Sequence, residues 1–231
     1  LDGRRPMPMT ATATEAARQQ MVQQQLRAWQ VLDQDVLEVF TRIPRELFVP
    51  EAYAGLAFAD TEIPLGGGER MLAPKVAGRI VQAVDPKPTD RVLLVGVGAG
   101  YLAACLAAKA CSVRGLEVRD DLVALARRNL ETAGVRNVSI EHRNAFAADA
   151  DNGGAYDVIV LSGSLAVPEA RFQRQLAIGG RLFAVIGTGL VMEARLIERT
   201  AQNEWRSTTL FETALKPLVG APQPERFSFQ G

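Results

Sequence analysis

Gly96, Gly98 and Gly100 follow at once on a short apolar run, Val92 to Val95. Such a run suits a strand buried on both faces of a parallel sheet. An alanine- and leucine-rich stretch of high helix propensity comes next, Tyr101 to Lys109. Strand, glycine turn and helix in that order make a nucleotide cradle: glycines let the backbone turn sharply and approach a ligand, and a helix start offers free N–H groups. Glu117 ends the next expected strand, Ser112 to Glu117, where a carboxylate accepts hydrogen bonds from both hydroxyls of a ribose. The bland alternative is a glycine turn beside an ordinary surface glutamate. Strand, helix and acid in register favour the cradle.

Tyr101 decides which nucleotide. The dinucleotide fingerprint G-x-G-x-x-G needs its third glycine where this chain has Tyr101, because helix and strand must close over a pyrophosphate there. The pattern Gly96-x-Gly98-x-Gly100 instead suits a ligand without phosphates, such as S-adenosylmethionine. A nicotinamide dehydrogenase is correspondingly disfavoured.

Other chemistry is thinly supplied. His142 is the single histidine in 231 residues, which excludes a multi-histidine metal site and disfavours a Ser-His-Asp triad. It falls at a strand end and reads as structural. Cys105 and Cys111 form neither a disulfide framework nor a metal site, and both are expected to be buried thiols in a reducing compartment. Lysine plus arginine and aspartate plus glutamate are 26 each, so no nucleic-acid or membrane surface is indicated, and Arg127-Arg128 reads as a solvated helix face. No apolar run reaches the roughly 18 residues that span a bilayer. The N-terminus lacks the apolar core of a signal peptide, which favours a cytoplasmic protein.

The remaining elements must position the cradle. Residues 1–11, with Leu1 to Pro8 at their head, read as a disordered lead or expression scar. Residues 12–90 read as a helical cap and acceptor loop, 91–220 as the cofactor-binding core, and 221–231 as a tail. Thr12 with Glu15 makes a capping box, and Val22, Leu26 and Trp29 share one helical face. Asp33 caps a second helix carrying Val36, Leu37, Val39 and Phe40, which Pro44 ends. A long irregular region through Gly68 follows, and loops of that length are usually functional or disordered. Its spaced apolar residues argue for function, and Gly66 to Ala73 is a candidate lid or acceptor wall. Pro74 opens a helix. Beyond the cradle, strands are expected at Ser112–Glu117, Asn137–Glu141, Tyr156–Leu161 and Arg181–Ile186, with helices at Asp120–Ala133 and Pro168–Ile178. Leu190 to Val219 is expected to add an antiparallel pair. The alternation predicts a doubly wound α/β fold, an open and mostly parallel sheet with helices on both faces.

Several segments together resemble the protein-L-isoaspartate O-methyltransferase family, from about Met21 to Val219. Ile43-Pro-Arg-Glu-Leu-Phe-Val-Pro50 is similar to the family's Val-Pro-Arg-x-x-Phe-Val-Pro, and Ala59-Asp60 with Ile63 to Gly66 to its Tyr-x-Asp-x-Pro-Leu-Pro-Ile-Gly. Tyr156 to Ile159, Gln175-Leu176 with Gly179 to Leu182, and Pro217-Leu218 resemble its fourth-strand, fifth-strand and C-terminal Val-Pro-Leu signatures. The resemblance implies the seven-stranded, Rossmann-like sheet of class I S-adenosylmethionine-dependent methyltransferases behind an N-terminal helical cap. It implies carboxyl methylation of isoaspartyl residues in damaged proteins or peptides, with S-adenosylhomocysteine as product.

The departures fall where function is decided. The family's Gly-Gln-Thr-x-Ser-Gln-Pro loop, with its active-site serine, here reads Gly68 to Pro74, with Leu72 at the serine and Ala73 at the glutamine. The family's Gly-Asp-Gly, whose acid approaches the adenine amine, reads Arg143-Asn144-Ala145; Asn144 retains an acceptor oxygen. Leu94 replaces a glutamate, and Ser162-Gly163-Ser164 a Thr-Ala-Ala. The expected cofactor residues are thus Gly96, Gly98, Gly100, Glu117, Asn144 and Ala145. The expected acceptor residues are Asp60, Arg70, Leu72 and Ser162. Arg70 pairs either with an acceptor carboxylate or with Glu62 or Glu69, Asp60 is an acceptor residue or a turn stabiliser, and Ser162 and Ser164 are site residues or helix caps. A carboxylate acceptor is already ionised at neutral pH and needs no general base, so no catalytic residue or metal is assigned. The rivals are a methyltransferase with another small acceptor and a non-catalytic cofactor-binding protein.

Overall fold

The computed structural model describes residues 11–147 and 154–223. Residues 1–10 of the expected lead, residues 148–153 and residues 224–231 of the expected tail lie outside them. The main sheet has seven strands in the order β5-β4-β3-β6-β7-β8-β9: β3 is Arg91–Val95, β4 Ser112–Glu117, β5 Val138–His142, β6 Tyr156–Leu165, β7 Leu176–Ile186, β8 Met192–Ala201 and β9 Glu204–Thr213. The first five in that order run parallel, and β8 and β9 are antiparallel, as the alternating segments and the tail predict. Leu93 and Leu94 on central β3 are fully buried, each side chain contributing roughly 1.5–3 kcal/mol of apolar transfer. A short antiparallel hairpin, β1 (Ile63–Gly66) with β2 (Glu69–Met71), occupies the loop expected to wall the acceptor site.

Helices α3 (Pro74–Val84), α4 (Tyr101–Ala107) and α5 (Asp120–Thr132) follow from the apolar spacing. Pro74 sits in the first turn of α3, where its missing N–H costs no hydrogen bond. At the N-terminus, α1 (Ala11–Met21) passes into a π-turn, Val22–Leu26, and a 3₁₀ turn, Arg27–Trp29. Asp33 caps α2 (Gln34–Arg42) by accepting from the Val36 N–H at 3.0 Å. Met21, Leu26, Val36 and Phe40 join the same core as Ile80 and Leu94, so this segment is packed into the fold.

Several expectations are corrected. Thr12 lies inside α1, so the Thr12–Glu15 pair is not at its start. Val22 and Leu26 are buried, whereas Trp29 is 44% exposed and lies under the Lys75 ammonium, 4.0 Å from the ring centroid. Cys105 is buried but Cys111 is exposed. The helix expected over Pro168–Ile178 shrinks to α6, Ala170–Arg174, because β7 already begins at Leu176 and carries Gly179 and Gly180 within it. A Cβ on Gly180 would meet the Tyr156 carbonyl at 3.0 Å, so that glycine permits the irregular β6–β7 pairing. Strand β6 runs on to Leu165, which places Ser162 and Ser164 in a strand and removes their reading as helix caps.

Candidate active site

A cleft opens at the C-terminal ends of β3, β4 and β6, where the strand order turns from β4 on one side of β3 to β6 on the other. This switch point is where open α/β sheets bind ligands. The turn after β3 forms one wall, Glu117 and Val118 a second, Ala145 and Phe146 a third. The hairpin β1–β2 covers it, and Leu215 to Val219 close the far side.

The turn is shaped by what touches it. Gly96 has φ +83°, and a Cβ there would lie 2.4 Å from the Ser162 hydroxyl oxygen, so a side chain is excluded twice over. The single Ser162 hydroxyl proton is shared between the carbonyls of Val95 at 3.0 Å and Gly96 at 2.6 Å, which pins the strand end. Gly98 faces Leu65 of the hairpin, whose Cδ1 would be 3.3 Å from an added Cβ. The hairpin therefore rests directly on the turn.

Glu117 is 5% exposed and its carboxylate accepts four backbone N–H bonds. Val97 and Gly98 donate to Oε2, each at 3.0 Å; Val118 and Arg119 donate to Oε1 at 2.9 and 3.1 Å. The acid thus ties the glycine turn to the end of β4. The amides that would cradle a phosphate are spent on this carboxylate, whose own charge opposes an anion, so phosphate binding at the turn is disfavoured. A neutral ribose diol can donate to the same oxygens by sharing them with the amides or replacing some of them.

Gly96, Gly98, Glu117 and Ala145 therefore converge on the cleft, as do Arg70, Leu72 and Ser162. Three expected residues stand outside its wall. Gly100, φ +94°, packs against Ala126 at the start of α4 and shapes the turn from behind. The Asn144 side chain accepts from the Phe146 N–H at 2.9 Å and lies against Gly220. Asp60 pairs with Lys75 at 2.8 Å, so the turn-stabilising alternative describes it better. Arg70 is more than half exposed, 4.0 Å from Glu62.

Sequence reasoning missed a buried support. Arg45, in the matched Ile43–Pro50 segment, is fully buried and lies over the Tyr101 ring at 4.8 Å from the centroid. Its Nε donates to the Ala57 carbonyl and its Nη2 to that of Leu72, both at 2.9 Å. Burial lowers the Arg45 pKa and pushes the Tyr101 hydroxyl well above its ordinary range. Phe40 and Phe48 meet Tyr101 edge-on, with centroids 5.9 and 5.5 Å away. Tyr101 thus joins the cap to α4, which is why no third glycine stands there. Arg119 is the second omission: its Nη1 donates to Gly66 O at 2.8 Å and holds the hairpin tip. Lys216, paired with Glu69 at the mouth, is the third. Apart from the matched segment around Arg45, the sequence carries no local signal for these contacts.

Among the described residues there is no cluster of three or more metal-ligating side chains, and no helix is long and apolar enough to cross a membrane. Comparison with known proteins places the chain. The family model described as protein-L-isoaspartate(D-aspartate) O-methyltransferase matches residues 16–223. A protein-L-isoaspartate O-methyltransferase of Aeropyrum pernix is 34% identical, over 95% of this chain and 90% of that one. One from Koribacter versatilis is 35% identical, over 92% and 94%. Among solved structures, a Plasmodium falciparum protein described as a protein-L-isoaspartate O-methyltransferase, in complex with S-adenosyl-L-homocysteine, superposes with TM-score 0.76 at 22% identity. That alignment covers 88% of this chain and 98% of the other.

Proposed function

The chain belongs to the protein-L-isoaspartate(D-aspartate) O-methyltransferase family, and from that premise we propose that it methylates isoaspartyl carboxylates in proteins or peptides, with S-adenosylmethionine as methyl donor. The observation that carries the reading is the convergence of the Glu117-clamped glycine turn and the Glu69–Leu72 segment on one cleft. The donor brings a methyl group already activated on a sulfonium. What the chain supplies is position. Glu117 receives the ribose hydroxyls; Val118 and Phe146 offer apolar surface to a base, beside Ala145. Gly96, held by Ser162, lets the rest of the donor approach the backbone.

The acceptor carboxylate enters under the hairpin, between Leu72 and the glycine turn. It is ionised at neutral pH, so holding it in line with the methyl group is the main task, and effective molarity provides most of the rate. Met71 and Leu72 exclude water from that approach. A second reading, transfer to another small carboxylate, is favoured by one observation: Leu72 presents no hydroxyl to the acceptor. The same proposal takes a protein or peptide as partner and the cytoplasm as compartment, which the two unpaired thiols suit.

Calorimetric titration with S-adenosylmethionine, S-adenosylhomocysteine and NADH, followed by methyl transfer to an isoaspartyl peptide and its aspartyl isomer, tests this. Binding of the first two alone and transfer to the isoaspartyl peptide alone are expected. Donor binding without transfer to that peptide, but with transfer to small carboxylates, would replace the acceptor. No donor binding at all would leave a non-catalytic protein.

A further inference from the structure

At the mouth of the cleft the ammonium of Lys216 forms an ion pair with Glu69 of the hairpin. The two come from segments 147 residues apart, and both line the cleft that holds Gly96 and Ser162. The Lys216 backbone is fixed: its carbonyl accepts from the Ser164 N–H at 2.9 Å, and Pro217 bridges to Ser164 beside the end of β6. Its side chain is 45% exposed, against 25% for Glu69.

Three carboxylates, Glu62, Glu69 and Glu117, line this cleft, and an anionic acceptor must enter among them. Arg70 faces Glu62 at the rim. Leu72 offers no polar atom from its side chain. We propose that Lys216 anchors the acceptor carboxylate, and that Glu69 occupies the ammonium until an acceptor replaces it. This rests on the reading of the site as a carboxyl methyltransferase. A half-exposed ion pair contributes little net stability, so Glu69 gives up the Lys216 ammonium at little cost. A lysine is a compact point charge and holds one carboxylate oxygen, leaving the other free for the methyl carbon. An arginine fork would engage both.

The test is steady-state kinetics on the full chain with an isoaspartyl peptide. Lys216→Met should raise the peptide KM roughly tenfold or more with kcat changed by less than about threefold, the pattern of lost ground-state binding to a charged group. Lys216→Arg should recover most of the loss in KM but, by engaging both acceptor oxygens, lower kcat. Glu69→Gln removes the competitor and should lower the peptide KM by about two- to fivefold. Opposite signs for Lys216→Met and Glu69→Gln are what an exchangeable anchor requires. If both substitutions raise KM, the pair merely straps the hairpin down and the proposal falls; an unchanged KM in Lys216→Met overturns it as well. A wild-type protein that binds S-adenosylhomocysteine yet transfers nothing to the peptide refutes the acceptor reading itself, and this anchor with it.

Discussion

The Nη2 of Arg45 donates to the carbonyl oxygen of Leu72 at 2.9 Å, across 27 residues of sequence. The same guanidinium lies over Tyr101, the first residue of α4, and holds Ala57 through Nε. One buried cation therefore fixes the backbone of the acceptor wall relative to the helix that follows the glycine turn. The contact is to the main chain, so the side chain at position 72 can change while the backbone beneath it keeps its place.

Replacing Arg45 by lysine should expose that dependence. Lysine reaches one carbonyl at best and leaves the other buried without a donor, at a cost of about 1–3 kcal/mol. Urea unfolding should show that loss, and the acceptor KM should rise more than the dissociation constant for S-adenosylhomocysteine. Equal stability of variant and wild type would show that the two carbonyls find other donors.

Leu72 is half-buried and packs on the core edge. Leu72→Ser should return a hydroxyl to the cleft, and a hydrogen bond to a charged acceptor is worth about 1.5–3 kcal/mol, or roughly tenfold and upward in kcat/KM for an isoaspartyl peptide. The lost packing should lower stability by roughly 1 kcal/mol. If kcat/KM for the isoaspartyl peptide stays flat while wild type methylates another carboxylate, position 72 has been reassigned to that second acceptor.

The sheet and the turn were legible because local pattern specifies them: a run such as Val92–Val95 has few alternatives to a buried strand, and three alternating glycines directly between it and a helix-forming stretch mark a tight turn. Glu117 was legible because its place follows from the same strand. Where long-range contacts decide, pattern failed. Nothing near Ser162 tells that β6 continues past Leu161, because that extension is held by Leu215 and Pro217 far along the chain. Asp60 looks like a site residue until Lys75 is seen beside it. Spacing puts Trp29 on one helical face with Val22 and Leu26, but a π-turn at Val22–Leu26 rotates that face and leaves Trp29 beneath Lys75.

Glu117 anchors four amides, so its removal should be felt twice. In Glu117→Gln, the amide nitrogen would confront two N–H donors with a third, opening the turn. Affinity for S-adenosylhomocysteine should fall by roughly tenfold to a hundredfold, the worth of one or two hydrogen bonds to a charged group. Thermal stability should fall as well. Calorimetry giving a wild-type dissociation constant for this variant would remove Glu117 from the donor site.

The two thiols should separate by environment. Cys105 on α4 is fully buried, and burial pushes its thiol up to about 12, against the opposing pull of Tyr101 and Arg45; Cys111 is exposed. Only the thiolate reacts, so a disulfide reagent at pH 8 should modify Cys111 alone in the native protein and both after unfolding. The same shift carries a stability consequence. The folded state keeps the Cys105 proton to a higher pH than the unfolded chain, whose thiol titrates near its ordinary value of 9. Between these values the unfolded state binds fewer protons, so the unfolding free energy falls as pH rises. The contribution is complete below about pH 9 and lost through about 12. Urea unfolding of wild type and Cys105→Ala at pH 7.5 and at pH 10 measures it. The wild type should lose more stability between the two than the variant, and Tyr101, shifted the same way by burial, should leave the variant a residual slope. Identical losses in the two proteins would mean that Cys105 does not carry its proton into the alkaline range.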